Sequence, residues 1–135
     1  MHILIADDHA IVRRGLKEIL AEALPGALFS EAENGEEVLA HLAESEYAVL
    51  LLDINMPGRN GLDVLREVKS TYARLPVIVV SVHPEDQYAL PCLRAGAAAY
   101  INKDSVPEKL ACTTKKILGG GRPFSAGLAE SPLHA

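Results

Sequence analysis

The chain has 135 residues, which at about 150 residues per typical domain leaves room for one compact unit and not for a second full one. With 49% hydrophobic and 23% charged residues it can bury an ordinary core, which argues against a disordered or fibrous chain. Its 18 acidic residues outnumber 13 Lys and Arg, giving a net charge of −5 with no long basic run, a poor footprint for gripping nucleic-acid phosphates.

No stretch approaches the roughly 18 consecutive apolar residues of a membrane span, and Asp7 and Asp8 interrupt the place where a signal peptide would be apolar. A cytoplasmic chain with no membrane association is therefore expected. Cys92 and Cys112 lack ligand-type neighbours at metal spacing, so they read as packing thiols rather than a disulfide or zinc site.

In chain order, short apolar runs alternate with longer amphipathic segments, the pattern of a parallel sheet with helical crossovers. The runs are Ile3–Ala6, Leu28–Ser30, Val49–Leu52, Val77–Val80 and Ala98–Ile101. Between them, spacings such as Val12, Leu16, Ile19, Leu20 and Ala23, or Leu62, Leu65 and Val68, are helical. Helix starts are expected at Asn34, Asn60 and Ser105, each followed three residues later by an acid. Helix ends are expected at Pro25-Gly26, at Gly96 and at Gly119-Gly120-Gly121. Five β-α units result, with a domain over 1–118 and a tail over 119–135.

The first, third and fourth runs are apolar throughout, as strands covered on both faces must be, whereas the second holds Ser30 and Glu31 and the fifth is short and Ala-rich. Right-handed crossovers then favour a doubly wound five-stranded parallel α/β sheet of order 2-1-3-4-5, a flavodoxin-like architecture, with a ligand crevice between strands one and three at their carboxyl ends.

Four loops bring polar residues to that end: Asp7-Asp8, Asp53, Ser81 and Lys103. One Asp after a strand is commonly a helix cap. Three carboxylates together are costly without a cation, and an all-oxygen set suits Mg²⁺, held by Asp7, Asp8, Asp53 and the Asn55 backbone carbonyl. Asp53, ending the central strand, is the candidate nucleophile toward phosphorus, with Ser81 and Lys103 placed to meet phosphoryl oxygens. The first turn, Ala6-Asp7-Asp8-His9, lacks the glycines of a dinucleotide site or P-loop and would repel a bare phosphate.

Four stretches, Ile5-Ala6-Asp7-Asp8-His9, Leu51-Leu52-Asp53-Ile54-Asn55-Met56-Pro57-Gly58, Val79-Val80-Ser81 and Ala95–Lys103, are spread over nearly the whole chain. Together they resemble the receiver domain of two-component response regulators. The resemblance implies that Asp53 accepts phosphate from a sensor histidine kinase, that Asp7 and Asp8 hold Mg²⁺, that Lys103 pairs with the phosphate, and that Ser81 and Tyr100 are the switch residues. It implies a homodimer on phosphorylation. The runs Met56–Asp63 and Ile117–Ser125 are similar to receivers joined to a LuxR-type helix-turn-helix, which implies that 119–135 is a linker stub or tail toward an output domain absent from this chain, through which alone DNA would be reached; the alternative is a regulator that stands alone.

Two rival readings differ in chemical class. A Mg²⁺-dependent aspartyl phosphohydrolase would usually carry a second acid two residues after the nucleophile, where this chain has Asn55. An inert binding module has no need of the full active-site set.

Further expectations concern single residues. Asp104 follows Lys103 where many receivers carry proline, which puts the cis peptide often found there in doubt. Pro91 interrupts the fourth helix, which is expected to be kinked, shortened or late to begin. His9 and His83 border the crevice as hydrogen-bonding walls, and His83 and Asn55 are placed to tune water access. Arg13, Arg14 and Lys17 are expected on an exposed basic face of the first helix, either solvated with an Arg14–Glu18 pair or serving as a kinase-docking or dimer surface.

Overall fold

The computed structural model describes residues 1–119 and Phe124–Ser125. The elements run β1 (His2–Ala6), α1 (Ala10–Ala23), β2 (Leu28–Ala32), α2 (Gly35–Glu44), β3 (Val49–Leu52), α3 (Gly61–Thr71), β4 (Val77–Ser81), α4 (Glu85–Arg94), β5 (Ala99–Asn102), α5 (Val106–Leu118) and β6 (Phe124–Ser125). All pairings are parallel, and the sheet order is β2-β1-β3-β4-β5-β6. The expected 2-1-3-4-5 order is thus present. It is extended by a two-residue strand, from the stretch read as tail, that pairs Ala99 with Phe124 and Tyr100 with Ser125. Residues 120–123 and 126–135 lie outside the described residues.

Alternation along each strand divides the core into two layers. Ile3 and Ile5 of β1 face one side with Leu16 and Leu20 of α1 and Leu110 and Ile117 of α5. Leu4 and Ala6 face the other with Val38 of α2, Val64, Leu65 and Val68 of α3, and Ala89 and Cys92 of α4. Burial on both faces is why β3 is apolar throughout and β1 and β4 are apolar but for His2 and Ser81 at their ends. Cys92 packs in this core, where burial pushes its thiol up to about 11. Cys112, expected to pack likewise, is instead exposed on α5.

Local signals explain most boundaries. The Asn34 side chain accepts from the Glu37 amide at 2.9 Å while Glu37 Oε1 accepts from the Glu33 amide at 2.9 Å, a nearly reciprocal capping box. Asn60 accepts from the Leu62 amide at 2.8 Å. Ser105 does not cap as expected: its side chain bonds no helix amide. A 3-10 turn over Lys103–Ser105 precedes α5, and Asn102 caps that turn by accepting from the Asp104 amide at 2.9 Å. The polar residue nearest the new backbone direction took the cap, one turn ahead of the expected one. Gly96, with φ +110°, turns the chain from α4 into β5 through a region that L side chains avoid.

Of the alternatives expected for α4, shortening and a late start are corrected. The helix is neither shortened nor late, running from Glu85 to Arg94 with Pro91 inside it. Pro91 and Gln87 are both exposed, so the Gln87 carbonyl left without its helix donor meets water. Meanwhile Ala89 and Cys92, both buried, pin the helix to the sheet. The Lys103–Asp104 peptide is trans, there being no cis peptide among the described residues.

Candidate functional site

β1 and β3 are neighbours, and the chain leaves them on opposite sides of the strand-order reversal, which opens the carboxyl end of the sheet. The Asp53 amide donates to the Ala6 carbonyl at 2.9 Å and the Asp7 amide to the Ala32 carbonyl at 3.0 Å, so strand hydrogen bonding continues to the acids themselves. Asp7 and Asp53 are almost wholly buried, at 1% and 2% exposure. Asp8 is partly exposed at the rim.

Lys103 arrives from the end of β5 and places its Nζ 2.9 Å from Asp7 Oδ2 and 3.3 Å from Asp53 Oδ2. One ammonium thus spans two buried carboxylates. Burial raises Asp53 above the usual carboxylate range; the Asn55 amide, donating to Oδ1 at 2.9 Å, opposes this, the Asp7 charge reinforces it, and Lys103 opposes it. Burial alone would lower Lys103, but its close contact with Asp7 and the charges of Asp53 and Asp7 outweigh it and hold the ammonium above its ordinary value.

The acids nevertheless remain incompletely satisfied. Asp7 Oδ2 and Asp8 Oδ1 are shielded from solvent and accept no aligned hydrogen bond. Their nearest polar neighbours are Lys103 Nζ at 2.9 Å for Asp7 and His9 Nδ1 at 3.1 Å for Asp8. Such oxygens fit a divalent cation. Asp7, Asp8 and His9 present ligand atoms within 4.8 Å of one another; Mg²⁺ prefers oxygen, so the two carboxylates suit it and the imidazole does not. The helix-cap role foreseen as the blander reading of Asp7 is corrected: His9 is the N-cap of α1 and no side chain caps that helix, while Asp7 Oδ1 accepts from the His9 amide at 2.8 Å in the turn ahead of it.

On the other wall, Ser81 is fully buried at the end of β4, its Oγ accepting from the His83 amide at 3.1 Å. His83 Nε2 lies 3.0 Å from Asn55 Oδ1, and its ring stacks on Tyr88 with centroids 4.2 Å apart. The His83 carbonyl accepts from the Tyr100 hydroxyl at 2.8 Å and from Asn102 Nδ2 at 2.9 Å. Tyr100 is therefore turned inward and fully buried, and burial raises its hydroxyl above the ordinary value. Asp7, Asp8, Asp53, Asn55, Ser81 and Lys103 all stand at one end of the sheet, with Tyr100 behind Ser81 on the adjacent strand.

The family model for the response regulator receiver domain matches residues 3–115. The chain belongs to that family. Among curated relatives, this receiver is 28% identical over 130 residues to "Response regulator UvrY" of Escherichia coli, covering 96% of this chain and 60% of that protein. It is 32% identical over 130 residues to "Response regulator GacA" of Pseudomonas protegens, covering 96% and 61%. The chain thus spans about three fifths of the length of these relatives. Among solved structures, a two-component response regulator of the LuxR family from Aurantimonas sp. superposes with a TM-score of 0.82 at 28% identity, covering 98% of this chain and 91% of that one. A CheY-like receiver domain protein from Methanospirillum hungatei gives 0.79 at 28% identity over 88% and 94%.

Around this receiver's site, the structure corrects one residue expected on the solvated face of α1. Arg13 is buried at 8% exposure, with Nε donating to Glu31 Oε1 at 2.7 Å and Nη1 to the Asp7 carbonyl at 2.6 Å. That hydrogen bond, more than any other cause, holds Glu31 below the usual carboxylate range. Among the described ion pairs, Arg14–Glu18 is absent and Lys17 turns to Glu31 at 3.6 Å. The available signal was helical phase: position 13 shares its face with Leu16 and Leu20, and its positive charge disguised it. No helix among the described residues is long and apolar enough to cross a membrane.

Proposed function

We propose that this receiver is a phosphorylation switch in which Asp53 is the phosphoacceptor, Asp7 and Asp8 with Asp53 and the Asn55 carbonyl hold Mg²⁺, and a sensor histidine kinase is the donor. The observation that carries this is the single Lys103 ammonium held between Asp7 Oδ2 and Asp53 Oδ2, with the shielded Asp8 Oδ1 nearby accepting no hydrogen bond. Bound Mg²⁺ supplies positive charge that offsets the negative charge of an incoming phosphoryl group.

The rest belongs to the chain's own side chains. An Asp53 carboxylate oxygen attacks phosphorus; the bond from phosphorus to the donor nitrogen breaks, and that nitrogen keeps the electron pair. Lys103 follows the phosphoryl oxygens, and Ser81 exchanges the His83 amide for a phosphoryl oxygen to which its hydroxyl donates. Because His83 also holds the Tyr100 hydroxyl, movement at Ser81 reaches the β5 side of the domain. Water attack on phosphorus later restores the carboxylate and releases inorganic phosphate.

Helix α1 follows directly on Asp7-Asp8-His9 and presents Ile11, 84% exposed, beside Arg14 and Lys17, a surface suited to the docking kinase. We further assign to the phosphorylated form a homodimer, and to the tail over 119–135 the connection to a DNA-binding output domain. The length of the relatives and the LuxR-family structural neighbour support that assignment.

The test is intact mass after incubation with Mg²⁺ and acetyl phosphate. A gain of one phosphoryl group, lost in Asp53→Asn, supports the reading. No gain, or a gain that survives in Asp53→Asn, overturns it, and turnover of donor without any adduct indicates a hydrolase instead.

A further inference from the structure

Arg13 is the buried charge of α1, on the face that otherwise carries Leu16 and Leu20. Its guanidinium reaches two other segments: Nε to Glu31 Oε1 on β2 at 2.7 Å, and Nη1 to the backbone carbonyl of Asp7 at 2.6 Å, with Nη2 3.5 Å from Glu33 Oε1. We infer that Arg13 is a positioning residue for divalent-cation binding: clamped by Glu31, it fixes the Asp7 carbonyl and thereby the direction in which the Asp7 and Asp8 carboxylates point. The inference rests on the reading of this crevice as a cation site.

Both peptide groups of Asp7 are held. Its amide donates to the Ala32 carbonyl at 3.0 Å, and its carbonyl accepts from Arg13. Because the Asp7–Asp8 peptide is planar, fixing the Asp7 carbonyl also fixes the plane in which Asp8 begins. That matters because Asp7 Oδ2 and Asp8 Oδ1 lack aligned donors of their own. Two like charges so placed turn apart if the chain between them is free, and the Arg13 hydrogen bond removes that freedom. A lysine at position 13 cannot substitute, since one ammonium lacks the planar fork that serves a carboxylate and a carbonyl on separate segments. Burying the guanidinium is tolerated because Glu31 neutralises it.

Simple electrostatics predicts the opposite sign. Removing a positive charge beside an acidic crevice makes the crevice more negative and tightens cation binding. Loss of positioning loosens it. Replacing groups that orient metal ligands from behind weakens metal binding by about 10- to 100-fold.

The experiment is a Mg²⁺ titration of the full chain, followed by the NMR shifts of the Asp8 and His9 amides, for wild type, Arg13→Ala, Arg13→Lys, Glu31→Gln and Arg14→Ala. The expected result is a Kd about tenfold higher in Arg13→Ala and Arg13→Lys. A smaller rise is expected in Glu31→Gln, and none in Arg14→Ala, which removes the same charge from an exposed position. Phosphorylation by acetyl phosphate should then need more Mg²⁺ for half its maximal rate and reach the wild-type rate at saturation. If Arg13→Ala does not fold, Arg13→Lys and Glu31→Gln decide. Kd values within twofold of wild type in those variants, with only the unfolding midpoint lowered, overturn the inference and leave Arg13 as a tie between α1 and β2. A wild type whose amides do not respond to Mg²⁺ overturns the cation reading of the crevice and this inference with it, so the two failures are distinguishable.

Discussion

His83 Nε2 and Asn55 Oδ1 lie 3.0 Å apart, so the loop after β4 is hydrogen-bonded across the mouth of the crevice to the loop after β3. The imidazole is held from its other side by stacking on Tyr88. If Asp53 is the phosphoacceptor as proposed, a bridge at this place narrows the path by which water reaches phosphorus. His83→Ala and Asn55→Ala should therefore still be phosphorylated, but lose the phosphoryl group about two- to tenfold faster, the range set by one hydrogen bond. Decay of the phosphorylated mass after removal of donor measures it. The double variant should add little to either single one, since both remove the same contact.

The crowding of Asp53 makes a statement about stability without metal. In the unfolded chain its carboxyl titrates near its ordinary 3.8; in the folded chain burial raises it. A raised folded value means that the native state holds its proton more tightly, so the stabilising contribution is complete below the ordinary value and is lost as pH rises through the folded one. At neutral pH in EDTA the ionised Asp53 is thus a liability, and Asp53→Asn should be more stable to urea than wild type. Toward pH 3 the difference should vanish, and adding Mg²⁺ at neutral pH should stabilise wild type more than the variant. Equal midpoints at neutral pH in EDTA would refute the assignment of burial as the dominant influence.

Gly61 begins α3, and a Cβ there would collide with the backbone of Ile54 in the loop that leads from Asp53 to Asn55. No flexible side chain can yield, because the obstructing atoms are the Ile54 carbonyl and Cα. Gly61→Ala should cost about 1–3 kcal/mol in urea unfolding, the usual range for forcing extra volume into a packed region. The loop should be the part that gives way, so phosphorylation of the folded fraction by acetyl phosphate should also slow. Gly15, with open space around its Cβ position, is the control: Gly15→Ala should leave phosphorylation unchanged and gain a few tenths to about 1 kcal/mol from helix propensity.

Much of this was legible before the structure, for physical reasons that differ by residue. Strands buried on both faces admit almost only apolar side chains, so Val49–Leu52 and Val77–Ser81 declared both their conformation and their central places. Because every β-α turn of a parallel sheet emerges at the same end, Asp7, Asp53, Ser81 and Lys103 could be brought together from order alone. What stayed hidden depends on groups meeting across space. Arg13 reads as a solvated charge until Glu31 and the Asp7 carbonyl are seen beside it. Likewise β6 has only two residues, too few to show alternation, and its pairing with β5 is visible only once α5 has returned the chain to that edge.

Pro91 shows how a local rule fails when tertiary contacts outweigh it. A proline in a helix interior removes one hydrogen bond and crowds the carbonyl four residues back, at about 3 kcal/mol, which led to the expectation of an α4 that is kinked, shortened or late to begin. That cost is not avoided by the continuous helix; it is borne. Ala89 and Cys92 sit fully in the core, so unwinding α4 would expose them, whereas the unpaired Gln87 carbonyl faces solvent. Pro91→Ala should therefore stabilise the receiver, by up to about 3 kcal/mol less whatever relief water already gives Gln87. It should also slow amide exchange along Glu85–Arg94 without altering the rate at which acetyl phosphate loads Asp53. Urea unfolding and hydrogen exchange measure the two parts separately. A variant no more stable than wild type would mean that α4 has adapted its geometry to Pro91 at no net cost.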